Sequence, residues 1–255
     1  ERSIAHAAVC DEDVPLKAGG DEKRYTFNGL IDAEENFLTA ESYFAEAMGG
    51  IIRQPEGGIE VEPGAPQAVV VEIEDSDILN LEEVEFSEFR GEADSEWVNT
   101  VIPRYVEPTQ QYKMISAPHR RDNADVIADG GLRTASPELK HVTSGTQAQR
   151  IGEIKRRLGR LLKTAKIVLG PRFAELEEGD WIGWTSVRHL GGARVVFRIE
   201  SFERSMQWKM SLDLREIAAE VYDWDEETDE LVSGAVAQQQ PPPGALAAPG
   251  AASWN

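Results

Sequence analysis

Cysteine is almost missing from this chain of 255 residues: Cys10 stands alone. A single thiol makes neither an internal disulfide nor a cysteine zinc cage. The fold therefore rests on packing, and a reducing compartment during synthesis is the simplest reading. Long apolar runs are missing too. None approaches the roughly 20 residues that a membrane-spanning helix needs, so stable membrane insertion is not expected. Histidine is scarce: His6, His119, His141 and His189 lie far apart, and none stands in an H-x-x-x-H or H-E-x-x-H frame. No serine stands in a G-x-S-x-G frame. No catalytic, cofactor-binding or metal-ligating residue is assigned on these grounds, and the chain does not read as an enzyme. Positive charge is in the minority, with 26 Lys and Arg against 46 Asp and Glu and a net charge of −20. Such a balance opposes coating of nucleic acid and binding to anionic membrane surfaces.

What is present is a soluble globular composition, long enough for one large or two medium domains. Residues 1–78 read as a small α+β module. Arg24 to Ile31 alternates like a strand. Phe37 to Met48 has one apolar helical face, which Gly49-Gly50 terminates. Ile51–Arg53 and Ile59–Val61 flank a turn at Pro55–Gly58 and read as a hairpin, and Val69–Ile73 as a further strand. Residues 79–232 read as a second, mainly antiparallel β unit. Its expected strands are Trp97–Tyr105, Trp181–Val187, Ala193–Phe202 and Gln207–Leu214, joined in a sheet or barrel. One helix, Gln147–Lys166, packs on it through Ile151, Ile154, Leu158, Leu161 or Leu162, and Ala165. Residues 117–135 are polar and turn-like. Residues 233–255, rich in Pro, Ala and Gly, read as an extended linker, and Ser253-Trp254-Asn255 as the possible opening of a further domain. The chain opens at Glu1 without Met or leader pattern, and reads as a piece of a longer polypeptide.

Charge is unevenly distributed. The 147–166 helix carries Arg150, Lys155, Arg156, Arg157, Arg160, Lys163 and Lys166 against one acid, Glu153. Three readings stand: a solvated face, pairing with the acidic face of a neighbouring subunit, or contact with nucleic acid. The overall charge favours the second over the third. Glu56–Glu96 is acidic almost throughout, and Glu72, Glu74, Glu83 and Glu85 alternate with apolar neighbours. Period two puts these carboxylates on one sheet face. That face is either ordinary solvated surface or a wall toward a lumen or partner. The carboxylate pairs Glu82-Glu83, Glu177-Glu178 and Glu226-Glu227 carry almost no specificity for glycoside hydrolysis. The acidic segment Asp223–Glu230 lacks the glycine and spacing of a calcium loop. Trp97, Trp181, Trp184 and Trp208 fall in expected strands and read first as packing residues.

A series of short motifs carries a resemblance. It comprises C-D-E-D-V-P-L-K-A-G-G-D-E-K-R-Y-T-F-N-G (Cys10 to Gly29), A-M-G-G (Ala47 to Gly50), N-T-V-I-P-R-Y-V-E-P-T-Q-Q-Y (Asn99 to Tyr112), S-G-T-Q-A-Q-R-I (Ser144 to Ile151) and G-D-W-I (Gly179 to Ile182). In order and spacing, over roughly Val9 to Asp225, it resembles the hub or tip attachment proteins of long-tailed phages, the host-specificity proteins of the lambda type, and the related hubs of gene transfer agents. The resemblance implies tail-tube-like β-barrel domains, a homotrimeric ring that continues and closes the tail tube, and transient passage of DNA. It implies distal tail, tape measure and tail fibre proteins as partners, and a place at the virion's tail tip after synthesis in the host cytoplasm. It carries no catalytic residue and no cofactor. On this reading Arg150, Arg156, Arg157, Arg160 and Lys163 are expected at the subunit interface, and Glu72, Glu74, Glu83 and Glu85 on the lumen wall. Two rival readings are a tail-associated cell-envelope hydrolase and an acidic protein-interaction module of a host cell.

Overall fold

The structure, a computed structural model, describes residues 2–32, 34–53, 58, 60–88 and 97–232. The turn at 54–57, the acidic stretch 89–96 and the 233–255 linker lie outside the described residues. The N-terminal part runs α1 (Arg2–Cys10), β1 (Asp13–Pro15), β2 (Asp21–Lys23), α2 (Phe37–Ala47), β3 (Ile51–Arg53), β4 (Glu60–Glu62) and β5 (Val69–Glu74). The middle runs β6 (Glu85–Ser87), β7 (Thr100–Val101), β8 (Arg104–Glu107), β9 (Lys113–Ser116), β10 (Arg120–Arg121), α3 (Asn123–Ala128), β11 (Thr134–Ala135), β12 (Glu138–Leu139) and α4 (Gly145–Leu158). The last part runs β13 (Thr164–Leu169), β14 (Trp181–Thr185), α5 (Val187–Leu190), β15 (Arg194–Arg204), β16 (Met210–Glu216) and α6 (Glu226–Asp229). The class is mixed α+β, mostly β. The expected helix at 37–48 and the hairpin of β3 and β4 are present.

Six strands form the largest sheet, in the order β5-β14-β15-β16-β13-β6. All its ladders are antiparallel except β5 with β14. It straddles the 78/79 boundary expected from the sequence, because β5 lies before that point and pairs with β14 beyond it. The sheet is curled. Phe86 on β6 sits edge-on to Trp184 on β14, 6.2 Å between ring centres, although three strands separate them in the ladder. Residues 75–84 lead from one edge strand to the other, and on the way the Leu79 amide donates to the Val168 carbonyl at 2.9 Å. The edges β5 and β6 share no ladder among the described residues, so the sheet is open by its hydrogen bonds. Trp184, Phe197, Ile167, Leu169, Ile182, Met210 and Leu212, each almost wholly buried, fill its concave side.

Three sequence expectations need correction. The helix ends at Leu158, not Lys166. Gly159 caps it, and Ala165, Ile167 and Leu169 then alternate as the buried face of β13. Period two prevails there because β16 and β6 flank the segment on both sides. Trp97–Tyr105 is not one central strand. Pro103, which has no amide hydrogen to donate, separates β7 from β8. The two join different three-stranded sheets, β10-β7-β11 and β12-β8-β9. Helix α4 consequently packs chiefly on β7, β8, β10 and the turn at Ala219–Tyr222. Arg24–Ile31 forms no strand. Its backbone finds other partners: Thr26 pairs with the Gln147 side chain, and the Asn28 amide donates to the His141 carbonyl at 2.8 Å.

Gly152 sets the approach of α4 to these two three-stranded sheets. A Cβ there would lie 2.9 Å from Cγ of Pro103 and 3.3 Å from Cγ of Arg120. Gly152→Ala gains about 1 kcal/mol of helix propensity and loses about 1–3 kcal/mol to overpacking. A net loss near 1 kcal/mol is expected in urea unfolding. A stabilised variant would show that the helix can shift outward freely.

Candidate functional site

The chemistry-bearing residues gather around α4. Ser144 opens the helix, its hydroxyl accepting from the Gln147 amide at 3.1 Å. One helical turn further, Arg150 is 2% exposed; it donates to Glu22 Oε1 at 2.6 Å and to the Arg24 carbonyl at 2.7 Å. Gln147 and Arg150 thus clamp the N-terminal segment onto the helix.

The last two turns hold a knot of opposite charges. Glu153 accepts from Arg120 Nε at 3.0 Å, Arg156 Nη2 at 2.7 Å and Arg157 Nε at 2.9 Å. Arg156 also reaches Asp125 at 3.0 Å, Arg160 reaches Asp129 at 2.6 Å, and Asp229 approaches both Arg120 and Arg157 at 3.7 Å. Four guanidiniums face four carboxylates. Burial alone would raise the Glu153 carboxyl. Its hydrogen bond to Arg156 and the charges of Arg156 and Arg120 outweigh that and hold it down at about 2. Lys163, beyond the helix, pairs with Glu216 at 2.9 Å. The five residues expected at a subunit interface therefore all have carboxylate partners within the chain. Four lie on or just past one helix, and Lys163 sits on the approach to β13.

The four expected lumen residues do not form one cluster. Glu72 and Glu74 stand on edge strand β5, Glu85 on the opposite edge strand β6, and Glu83 in the turn between them. All four are exposed, with Val71 and Ile73 turned inward. Glu72 is held in a two-pronged pair by Arg194, at 2.6 and 3.0 Å, which lowers its carboxyl through that hydrogen bond. It lies across Gly183, where any Cβ would collide with the carboxylate.

Between the α2–β4 module, α4 and the end of β16 opens a cleft of about 470 Å³. Ile51, Ile151, Ile154, Leu158 and Ile217 line it, with Glu46, Glu62 and Tyr222 among its polar groups. Burial raises both the Glu46 and the Glu62 carboxyls. Arg53, 3.0 Å from Glu62, opposes the second of these shifts. No group of three metal-ligating side chains occurs among the described residues. His141 stacks on Phe27 and His189 lies against Phe86 and Trp184, so these two are packing residues, while His6 lies 3.3 Å from a Glu60 carboxylate oxygen.

The knot was missed from the sequence, although part of its signal was there. Glu153 precedes Arg156 and Arg157 by three and four residues, the spacing of intrahelical pairs. Asp125 and Asp129 share the four-residue spacing of Arg156 and Arg160, but they sit in a segment read as turn-like, where α3 forms.

Comparison with known proteins gives the family. No curated protein matches the sequence. A chain of the virion of a native gene transfer agent particle superposes with a TM-score of 0.62 at 19% identity, over 79% of this chain and 43% of that one. This is a likeness of fold. A tail protein from Neisseria meningitidis MC58 gives a TM-score of 0.47 at 17% identity, over 84% of this chain and 64% of that chain. A 43 kDa tail protein of prophage MuSo2 from Shewanella oneidensis gives 0.46 at 13% identity, over 76% and 55%. The chain thus spans less than two thirds of the length of these structures. Residues 42–202, well over half of the sequence, match the family described as putative phage tail protein. The chain belongs to that family, which makes it a structural protein of the virion's tail.

Proposed function

We propose that the chain is part of the hub at the tail tip, a ring of three copies that continues and closes the tail tube and lets DNA pass. Membership of the tail-protein family carries this reading. The curled six-stranded sheet supports it, since further strands or a neighbouring copy can complete such a sheet into a tube-like barrel. The exposed Glu74, Glu83 and Glu85 fit a lumen that repels a sliding polyanion. The ring works by shape and charge, without catalytic residues or cofactor, and sits among distal tail, tape measure and fibre proteins. Of the five cations around α4, Arg157, Arg160 and Lys163 keep enough exposure to meet a neighbouring copy as well.

The test is a charge reversal in assembled particles. Glu74→Lys, Glu83→Lys and Glu85→Lys together should leave particles intact in electron micrographs and cut DNA delivery at least tenfold. Unchanged delivery would put these residues on the outer surface.

One observation favours a second reading, a tail-associated cell-envelope hydrolase: two carboxyls raised by burial share the cleft. Glu62 is only 6% exposed and is bound to Arg53, which leaves little of it to offer a sugar. Release of soluble fragments from purified cell wall, lost in Glu46→Gln, would establish that reading. No release would end it.

A further inference from the structure

The hairpin of β15 and β16 ends in Arg204-Ser205-Met206-Gln207-Trp208-Lys209. The turn is closed by the Ser205 amide on the Lys209 carbonyl at 2.9 Å and the Trp208 amide on the Ser205 carbonyl at 3.0 Å. This closure puts Trp208 at φ 56, in the left-handed region. Hairpin loops of this kind usually place glycine or asparagine there, because a Cβ is disfavoured. Here a tryptophan occupies the position, and its side chain does not repay the strain by burial: Trp208 is 59% exposed and its neighbour Met206 is 96% exposed. A strained, exposed aromatic at a hairpin tip is suited to anchor a partner. The tip is basic, with Arg204 and Lys209 and no acid from Arg204 to Ser211.

A matching surface exists on the same chain. Leu30, in the loop before α2, is 94% exposed, and Phe37 and Leu38 in the first turn of α2 are largely exposed. From Tyr25 to Ile52 the sequence holds no lysine or arginine, while Asp32, Glu34 and Glu35 sit beside these apolar residues and are exposed. One surface is apolar and basic, the other apolar and acidic. Contact of either patch with its own copy would oppose like charges, whereas contact between the two is complementary. Such a contact joins two different patches, and a head-to-tail joint of this kind closes into a ring when the rotation between copies closes, and otherwise extends into a filament.

We infer that the Trp208 hairpin tip of one copy docks on the acidic, apolar start of α2 in the next copy. The inference rests on the ring proposed above and names its joint. It is tested in the full-length protein with Cys10→Ser throughout. Met206→Cys mixed with Phe37→Cys should give disulfide-linked dimers under mild oxidation, and neither alone should. Both changes in one chain should give a ladder ending at the ring. Trp208→Gly should keep or raise the urea midpoint, since it relieves the left-handed tryptophan, while weakening self-association about thirtyfold or more. Self-linking of Met206→Cys, or Trp208→Gly assembling as tightly as the parent, would overturn the joint and leave the ring standing. So would intact assembly combined with loss of binding to phosphatidylserine vesicles, which would make the tip a membrane probe. A full-length parent that stays monomeric at all concentrations would overturn ring and joint together.

Discussion

Glu153→Ala is expected to lower unfolding free energy by about 3–5 kcal/mol, the usual effect of removing one partner from a buried ion cluster. The residue is 4% exposed and receives hydrogen bonds from three arginines, all left under-compensated without it. The effect depends on pH in a defined direction. The folded carboxyl titrates at about 2 against an ordinary value of 4.5. Its stabilising contribution is therefore complete above 4.5 and disappears as pH falls toward 2, a change of about 3 kcal/mol. Urea unfolding followed by tryptophan fluorescence at pH 7 and pH 3 reads both predictions. A loss below 1 kcal/mol at pH 7, or a variant with the parent's acid sensitivity, would show that water already screens the cluster. Reversing Arg156, Arg157 and Arg160 to Glu together is expected to unfold the protein, since each is bound to an acid within the chain.

Gln147→Leu should cost about 2–4 kcal/mol despite its similar volume and the fully apolar replacement. The Gln147 amide receives the Thr26 backbone and hydroxyl at 3.2 and 2.9 Å and donates to the carbonyls of Thr26 and Ala47 at 2.9 and 2.8 Å. Leucine leaves buried backbone groups of two segments without partners, and each such group is costly. Protease cutting between Arg24 and Asn28 should appear well before global unfolding. A variant cut no faster than the parent would mean that Arg150 alone holds the segment.

Periodicity carried the legible part of the fold. The apolar stripe of α4, the stop at Gly49-Gly50 and the alternation of Val71, Glu72, Ile73 and Glu74 are local patterns that need no tertiary partner, and the structure displays them. The strands at 181–185, 194–204 and 210–216 were legible for the same reason. Where tertiary partners decide, the reading fell short. Arg24–Ile31 alternates like a strand but has Gln147 in place of a neighbouring strand. The helical spacing of Leu161, Leu162 and Ala165 continues past Gly159, yet β16 and β6 impose period two on the residues from Thr164 onward. The basic helix looked like a charged surface because, apart from its own Glu153, its acids come from β2, β16, α6 and α3 with its cap Asp129, all distant in sequence. Of the candidate residues, the exposure of the four glutamates was legible; their division between opposite sheet edges was not.

The knot also fixes an order of events during synthesis. Its pairs span very different stretches of chain: three or four residues from Glu153 to Arg156 and Arg157, 31 from Asp125 to Arg156, and 109 from Arg120 to Asp229. Short closures come first, because loop entropy rises with length and distant residues are not yet made. Helix α4 can therefore form with its own glutamate neutralising two arginines, and α3 can dock next. Asp229 arrives only when almost the whole described chain has left the ribosome. Until then Arg120 and Arg157 lack their last acid, and the packing of α4 on its small sheets stays incompletely locked. This part of the protein therefore reaches its finished shape only after Asp229 has been made and has docked.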